Sequence, residues 1–464
     1  MLFRSEKKSD RQLGTAPVGR LLLRLSAPMV LAQIVNMLYN VVDRIYIGHI
    51  PEIGRLALTG VGLCFPLITI ITAFYVLIAQ GGAPLAAIEM GRGDNRRAEE
   101  YLGGCFTSLI AAAAVLTLAF ELFGERLLWI FGASGETIVY ALPYMRIYAA
   151  GSVFVMLSMG MNLFITTQGF AGYSMASVVL GAVTNIVLDP ILIFCCGLGV
   201  QGAALATVAS QMLSAAFVLR FLFGKKTLLH VRREFLRPRW ALMKKTLALG
   251  LAPFVVQTTE AAVSISFNAS LQRYGGDLAV GAMTVAGTVM QMISLPANGI
   301  GQGAQPIISF NYGARNVARV KKTVRLMFAA LSVFIFCGCV LAELLPEVVI
   351  SIFNSEEALL ETAVWALRVY LASFWLFGLQ MAAQQVFMAT GKARQSLFCA
   401  CLRKLILLIP LIHLMPLFFE NKVFAVFLAE PVADLLSVII CMTLFRFTFW
   451  RDMAHLEAQA DGRA

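Results

Sequence analysis

Twelve stretches of this chain stay apolar for about 20 residues, the length a helix needs to cross a bilayer. They run over residues 22–47, 56–80, 101–120, 137–167, 173–196, 200–223, 247–270, 278–301, 324–342, 359–389, 397–419 and 423–447. Inside lipid every backbone amide must find its partner within its own segment, so such stretches are obliged to be helices. The composition agrees: 59% of residues are apolar and 14% charged, against about 45–50% and about 25% in a soluble domain. Too little charge remains to cover a water-facing surface, which excludes a soluble enzyme, a nucleic-acid binder and a disordered chain. No small-residue cleavage site closes the first apolar run, so that run is expected to remain as the first helix. Nine cysteines (Cys64, Cys105, Cys195, Cys196, Cys337, Cys339, Cys399, Cys401 and Cys441) lie in or beside apolar runs without a CxxC pair. They read as small membrane-interior residues, not as a disulfide or metal framework.

The basic residues orient the bundle. With the N-terminus inside, 28 lysines and arginines fall on inner segments and only Arg55, Arg126, Arg273 and Lys422 on outer ones. The inner set includes Arg92, Arg96 and Arg97, eight residues between Lys225 and Lys245, and Lys392, Arg394, Arg403 and Lys404. This asymmetry is the positive-inside pattern. It predicts a multi-pass protein of the cell inner membrane with both termini cytoplasmic. The net charge of +11 then lies against anionic headgroups, and no nucleic-acid partner is needed to explain it.

The chain also repeats itself at a spacing of 222. Gln80-Gly81 and Pro84 recur as Gln302-Gly303 and Pro306, Gly91 as Gly313, Arg146 and Tyr148 as Arg368 and Tyr370, and Gly169 as Gly391. Six helices per copy bring both halves in from the same side, a parallel repeat about an axis along the membrane normal. The expected fold is an all-α polytopic membrane protein of two pseudo-symmetric six-helix lobes: residues 1–223, a basic cytoplasmic linker at 224–246, residues 247–449, and a tail at 450–464. Two similar lobes across a cleft suit alternating access, and hence transport rather than catalysis. The glycines of the repeated motif suit close helix packing or a bend at the inner ends.

Ionisable residues within the membrane are costly and mark pathways or relays. At about 1.5 Å rise per residue, Asp43 in the first helix, Asp189 in the fifth and Thr207 in the sixth come to one level below the outer ends. Asn185 lies one turn from Asp189, and Tyr39 and Asn40 one turn from Asp43. Two carboxylates with amide and hydroxyl partners can hold Na+ or share a proton; a packing network between helices is the alternative. The residues 222–223 positions after Asn185 and Asp189 are leucine or isoleucine, so the second lobe is expected to lack this polar cluster. Glu260, with Gln257 nearby, places an acid at mid-depth in the seventh helix. It suits a cationic substrate or a coupling proton, unless it is paired with Arg368 or another buried donor. Glu430 and Asp434 in the last helix, and the repeat-related Arg146 and Arg368, read as structural partners first.

These residues resemble the multidrug and toxic compound extrusion (MATE) transporters. The resemblance runs from Leu25 to about Phe449 and rests on "LSAPMVLAQIVNMLYNVVDRIYIGH", "QGGAPLAAIEMGRGD", "TNIVLDPILIF", "GVQGAALATVASQ" and "QGAQPIISFNYGARN". It implies efflux of amphipathic cationic small molecules in exchange for H+ or Na+, with no cofactor and with the monomer as the working unit. It implies an ion site at Asp43, Asn185, Asp189 and Thr207, with Tyr39 and Asn162 in the same network. The tenth helix reads "GLQMAAQQVFMATG" where some members carry an acid, which leaves Gln384 and Gln385 as its polar candidates. A flippase or exporter of lipid-linked or metabolite substrates is the alternative on a related fold, disfavoured by the acidic cluster. An intramembrane enzyme using the Asp43 and Asp189 pair has no support from the repeat.

Overall fold

A computed structural model describes residues 9–351 and 357–460, and every regular element among them is helical. Ten helices and one bent pair are long and apolar enough to cross a bilayer. The longest of the ten, Trp240–Gly313, is two crossings joined at Gly276, whose φ of 65° and ψ of −161° suit a residue without a Cβ. Twelve crossings result among the described residues. They are α1 (Val18–Gly48), α2 (Gly54–Gly91), α3 (Asn95–Ile130), α4 (Ile138–Ala150 with Ser152–Thr167, bent by 52°), α5 (Ala171–Cys195) and α6 (Gly199–Leu222). The second set is α7 (240–275), α8 (277–313), α9 (Val317–Leu344), α10 (Leu360–Ala389), α11 (Ala393–Leu417) and α12 (Lys422–Ala460).

Two helices run into the stretches read as linker and tail. The seventh crossing starts at Trp240, inside the stretch read as linker, because Leu242, Met243 and Thr246 pack inward while Lys244 and Lys245 stay in solvent. The last continues to Ala460 through most of the stretch read as a tail. Between α6 and α7 the chain is not loose. Gln168 Oε1 accepts hydrogen bonds from Leu228 N, Leu229 N and Thr227 Oγ1 at 2.7–3.0 Å. Glu99 accepts from His230 N at 3.0 Å and pairs with Arg232 Nε at 2.8 Å.

Apolar side chains gather into two cores, one per lobe. Ile47, Leu67, Leu109, Met156, Phe164 and Val218 belong to the first, and Phe267, Ile307, Leu331, Phe387 and Phe427 to the second. The first helix bridges them: Leu21, Leu22, Leu25 and Met29 pack into the second core, Ile47 into the first.

The repeated glycines lie where the lobes meet, at the basic end of the bundle. A Cβ on Gly91 would stand 2.8 Å from the Phe310 carbonyl carbon, and one on Gly313 would stand 2.8 Å from that of Ile88. Residues 88 and 91 are the repeat mates of 310 and 313, so α2 and α8 cross on a pseudo-two-fold axis with backbone against backbone. Gly250 meets Leu77 and Gly81 meets Thr246 in the same way between α7 and α2. Only a residue without a side chain permits such approach.

Candidate ion and substrate site

Asp43, Asn185, Asp189 and Thr207 converge in the first lobe, away from the basic end. The Asp43 and Asp189 carboxyls lie close enough to act on one another directly. The Asn185 amide donates to Asp189 Oδ1 at 3.3 Å and to Thr207 Oγ1 at 3.5 Å. Local sequence fixes this arrangement: Asn185 and Asp189 are one turn apart on α5, and Pro190 then leads into a π-helical turn, Ile191–Cys195. Such turns recur at functional sites. Asp189 is 0% exposed and Asn185 1%. One oxygen each of Asp43, Asn185 and Asp189 is buried with no hydrogen-bond partner among the described residues. Buried polar atoms are nearly always satisfied, and three oxygens short of a positive partner suit a shared proton or a small hard cation.

Below this cluster the polar face of α1 continues through Tyr39, Asn36 and Gln33 into a cavity of about 140 Å³. Gln80 and its repeat mate Gln302 both line it, and Gln33 Nε2 donates to Gln302 Oε1 at 3.4 Å across the lobes. Drug-sized ligands typically fill about 300–1,000 Å³, so this space fits water and an ion rather than a drug. Asn162 also lines the cavity, but its amide donates to Ser174 O at 3.2 Å. Ser174 precedes Asn185 by eleven residues, about 16 Å along α5. Asn162 is therefore separate from the carboxyl cluster. Tyrosines that hydropathy did not single out surround Asp43: Tyr144 and Tyr148 of α4 stack at 6.3 Å, and both lie near Asp43. Their spacing of four residues puts them on one helix face, the signal that was there to be read.

The second lobe has leucine or isoleucine where Asn185 and Asp189 have their repeat mates, but its acids Glu260, Glu430 and Asp434 meet two buried cations that were read as cytoplasmic. Arg403 donates from Nε to Asp434 Oδ1 at 2.5 Å and from Nη2 to Glu430 Oε1 at 2.7 Å. Its guanidinium also lies 4.3 Å from the Phe377 ring centre. Lys404 donates to Glu260, which is not paired with Arg368. Counting Arg403 and Lys404 among cytoplasmic charges is thus corrected. The helix begins at Ala393, ten residues earlier, which carries them about 15 Å inward. Their removal leaves 26 of the 28 inner basic residues, and the asymmetry stands. Gln380 of α10 accepts from Ser437 at 2.7 Å, whereas Gln384 and Gln257 are half-buried on α10 and α7. Arg146 pairs with Glu121 at 3.5 Å on the outer surface of the bundle.

Two six-helix lobes joined across a pseudo-two-fold seam define a multi-pass membrane transporter of small molecules, not an enzyme. The MatE family model matches residues 28–191 and 253–414, and the chain belongs to that family. The multidrug export protein MepA of Staphylococcus aureus (strain N315) is 24% identical over 432 residues, 92% of this chain and 94% of that protein. MepA of Staphylococcus haemolyticus (strain JCSC1435) is 25% identical over 433 residues, again 92% and 94%. A solved MATE structure in the bent conformation superposes with a TM-score of 0.90 at 22% identity, covering 98% of this chain and 100% of that one. A MOP superfamily transporter from Pyrococcus furiosus gives 0.89 at 24% identity, covering 96% and 98%.

Proposed function

We propose that this protein exports amphipathic cationic small molecules across the cell inner membrane in exchange for H+ or Na+. The single observation that carries the reading is the trio of buried, unpartnered oxygens on Asp43, Asn185 and Asp189. In the exchange, Asp43 and Asp189 take up the coupling ion, Asn185 and Thr207 orient them, and Tyr39 lines the path below. Asn162 shapes the cavity wall. Glu260 receives the substrate cation in the second lobe, with Gln257 and Gln384 as further polar candidates there. Alternating access comes from rocking of the lobes, taken as residues 1–223 and 247–449, about the glycine seam. The names of the MepA relatives support multidrug export. The 26-to-4 distribution of basic residues supports cytoplasmic termini. The monomer suffices, since both lobes come from one chain.

Export of a lipid-linked precursor would need basic groups free to hold phosphate. Arg403 and Lys404 are instead each bonded to carboxylates.

The test is Asp189→Asn in proteoliposomes, with ethidium flux followed under separate Na+ and pH gradients. Gradient-driven flux should vanish while the protein still inserts. The gradient that drives the wild type identifies the ion, and unchanged flux in the variant overturns the proposal.

A further inference from the structure

Gly181 and Ala182 of α5 line the first lobe's cavity. Their repeat mates, 222 residues on, are Arg403 and Lys404 of α11, both buried. Where one lobe leaves space, the other inserts two cations of its own. Arg403 and Lys404 face three carboxylates: Glu260, Glu430 and Asp434. One negative charge is left over, and its placement is informative.

Arg403 takes one oxygen from each of Glu430 and Asp434, leaving Glu430 Oε2 and Asp434 Oδ2 buried without a donor among the described residues. Lys404 reaches away from them to Glu260. The Lys404 side chain is 8% exposed and that of Glu260 is 57% exposed. A carboxylate turned to lipid would be expensive, so the open side of Glu260 faces the cleft. Lys404 thus bonds the carboxylate at the cleft, while the interior carboxylate of Glu430 lies near enough to feel its charge.

We propose that Lys404 is a resident cation on Glu260, that an incoming substrate cation displaces it, and that it then swings to Glu430 and expels the proton held there. The inference rests on the cation-export reading above. In the empty state Lys404 neutralises Glu260, and a proton on Glu430 balances the Arg403–Asp434–Glu430 trio, because an unpaired buried carboxylate is strongly disfavoured. In the loaded state the substrate neutralises Glu260, Lys404 neutralises Glu430, and the proton passes to water in the cleft. One positive charge enters as one leaves, so the lobe's net charge is constant. The groups facing Glu430 are Asp434 on its own helix, Arg403 and Lys404 on α11, Glu260 on α7 and Tyr370 on α10. Lys404 is accordingly a specificity residue: it sets how strongly a cation must bind to win the site.

The test uses the full chain in nanodiscs with tetraphenylphosphonium as the probe. If Lys404 leaves Glu260 free about one-tenth of the time or less, Lys404→Met tightens binding about tenfold or more. The double variant Lys404→Met/Glu260→Gln should lose that gain. In an Asp43→Asn/Asp189→Asn background, which silences the first lobe, binding should still release one proton into weakly buffered solution. Adding Glu430→Gln should abolish the release. Glu260→Gln removes the substrate's acceptor and hands Lys404 permanently to Glu430, so at saturating tetraphenylphosphonium it too should abolish release, even where Lys404→Met does not fold. Binding that Lys404→Met leaves unchanged or weakens overturns the proposal, as does release that survives Glu430→Gln or Glu260→Gln. A wild type that binds no tetraphenylphosphonium overturns the cation-export reading and this inference with it; binding indifferent to Lys404 overturns this inference alone.

Discussion

A single methyl group at Gly91 or Gly313 tests whether the glycine seam holds the basic end shut. A Cβ at either position would stand 2.8 Å from a carbonyl carbon of the opposite lobe. Carbon atoms settle at about 3.5–4.0 Å, and the carbonyl oxygens stand nearer still, so the seam must widen by more than about 1 Å. The atoms in the way are backbone on both sides, and no rotamer change relieves them. Overpacking of this kind typically costs about 1–3 kcal/mol. The cost falls on the closed seam and not on a state in which the lobes have parted there. At about 1.4 kcal/mol per factor of ten, Gly91→Ala should shift the closed-to-open ratio of the basic end about 5- to 150-fold. Gly91→Ala/Gly313→Ala should shift it further, though less than additively, because the two contacts share one axis. Nitroxide pairs at the exposed Arg96 and Lys322 report the separation of the lobes by pulsed electron resonance. The long-distance population should grow in the order wild type, single, double. Distance distributions identical to wild type in the double variant would show that this seam does not gate the basic end.

Three other outcomes are expected. Arg403→Met leaves Glu430 and Asp434 buried without their counter-ion, a loss of about 3–5 kcal/mol, seen as a lower temperature for loss of monodispersity in detergent. Adding Glu430→Gln and Asp434→Asn should restore most of it, and a triple variant as unstable as the single would refute the charge-pair account. Asn185→Leu removes the donor to Asp189 and Thr207 and should cost about 1–3 kcal/mol at the cluster. Coupled efflux should fall measurably yet less than in Asp189→Asn; efflux equal to wild type argues against an orienting role. Glu99→Ala removes the acceptor of His230 N and the nearer partner of Arg232, so trypsin should cut the 225–239 segment sooner; an unaltered rate would mean that the ties to Gln168, Thr107 and Glu100 suffice to hold it.

The crossings could be read from sequence because lipid leaves a backbone one way to satisfy its amides, and the repeat because identical spacing survives wherever two lobes share a fold. The level of Asp43, Asp189 and Thr207 was legible for a similar reason: the helical rise converts position into depth without knowledge of neighbours. Partners across helices were not. Lys404 and Glu260 lie 144 residues apart, Arg403 and Asp434 31, and nothing local says which helix faces will meet. That is why Arg403 and Lys404 passed for cytoplasmic charges and the acids of the second lobe were left without their partners. Asn162 was placed with the carboxylates by family likeness, whereas the course of α4 sets it deeper, against Ser174. Likewise Gly91 and Gly313 were recognisable as a repeated pair, but only the crossing of α2 and α8 made them a seam, since close approach belongs to two backbones together and to neither sequence alone.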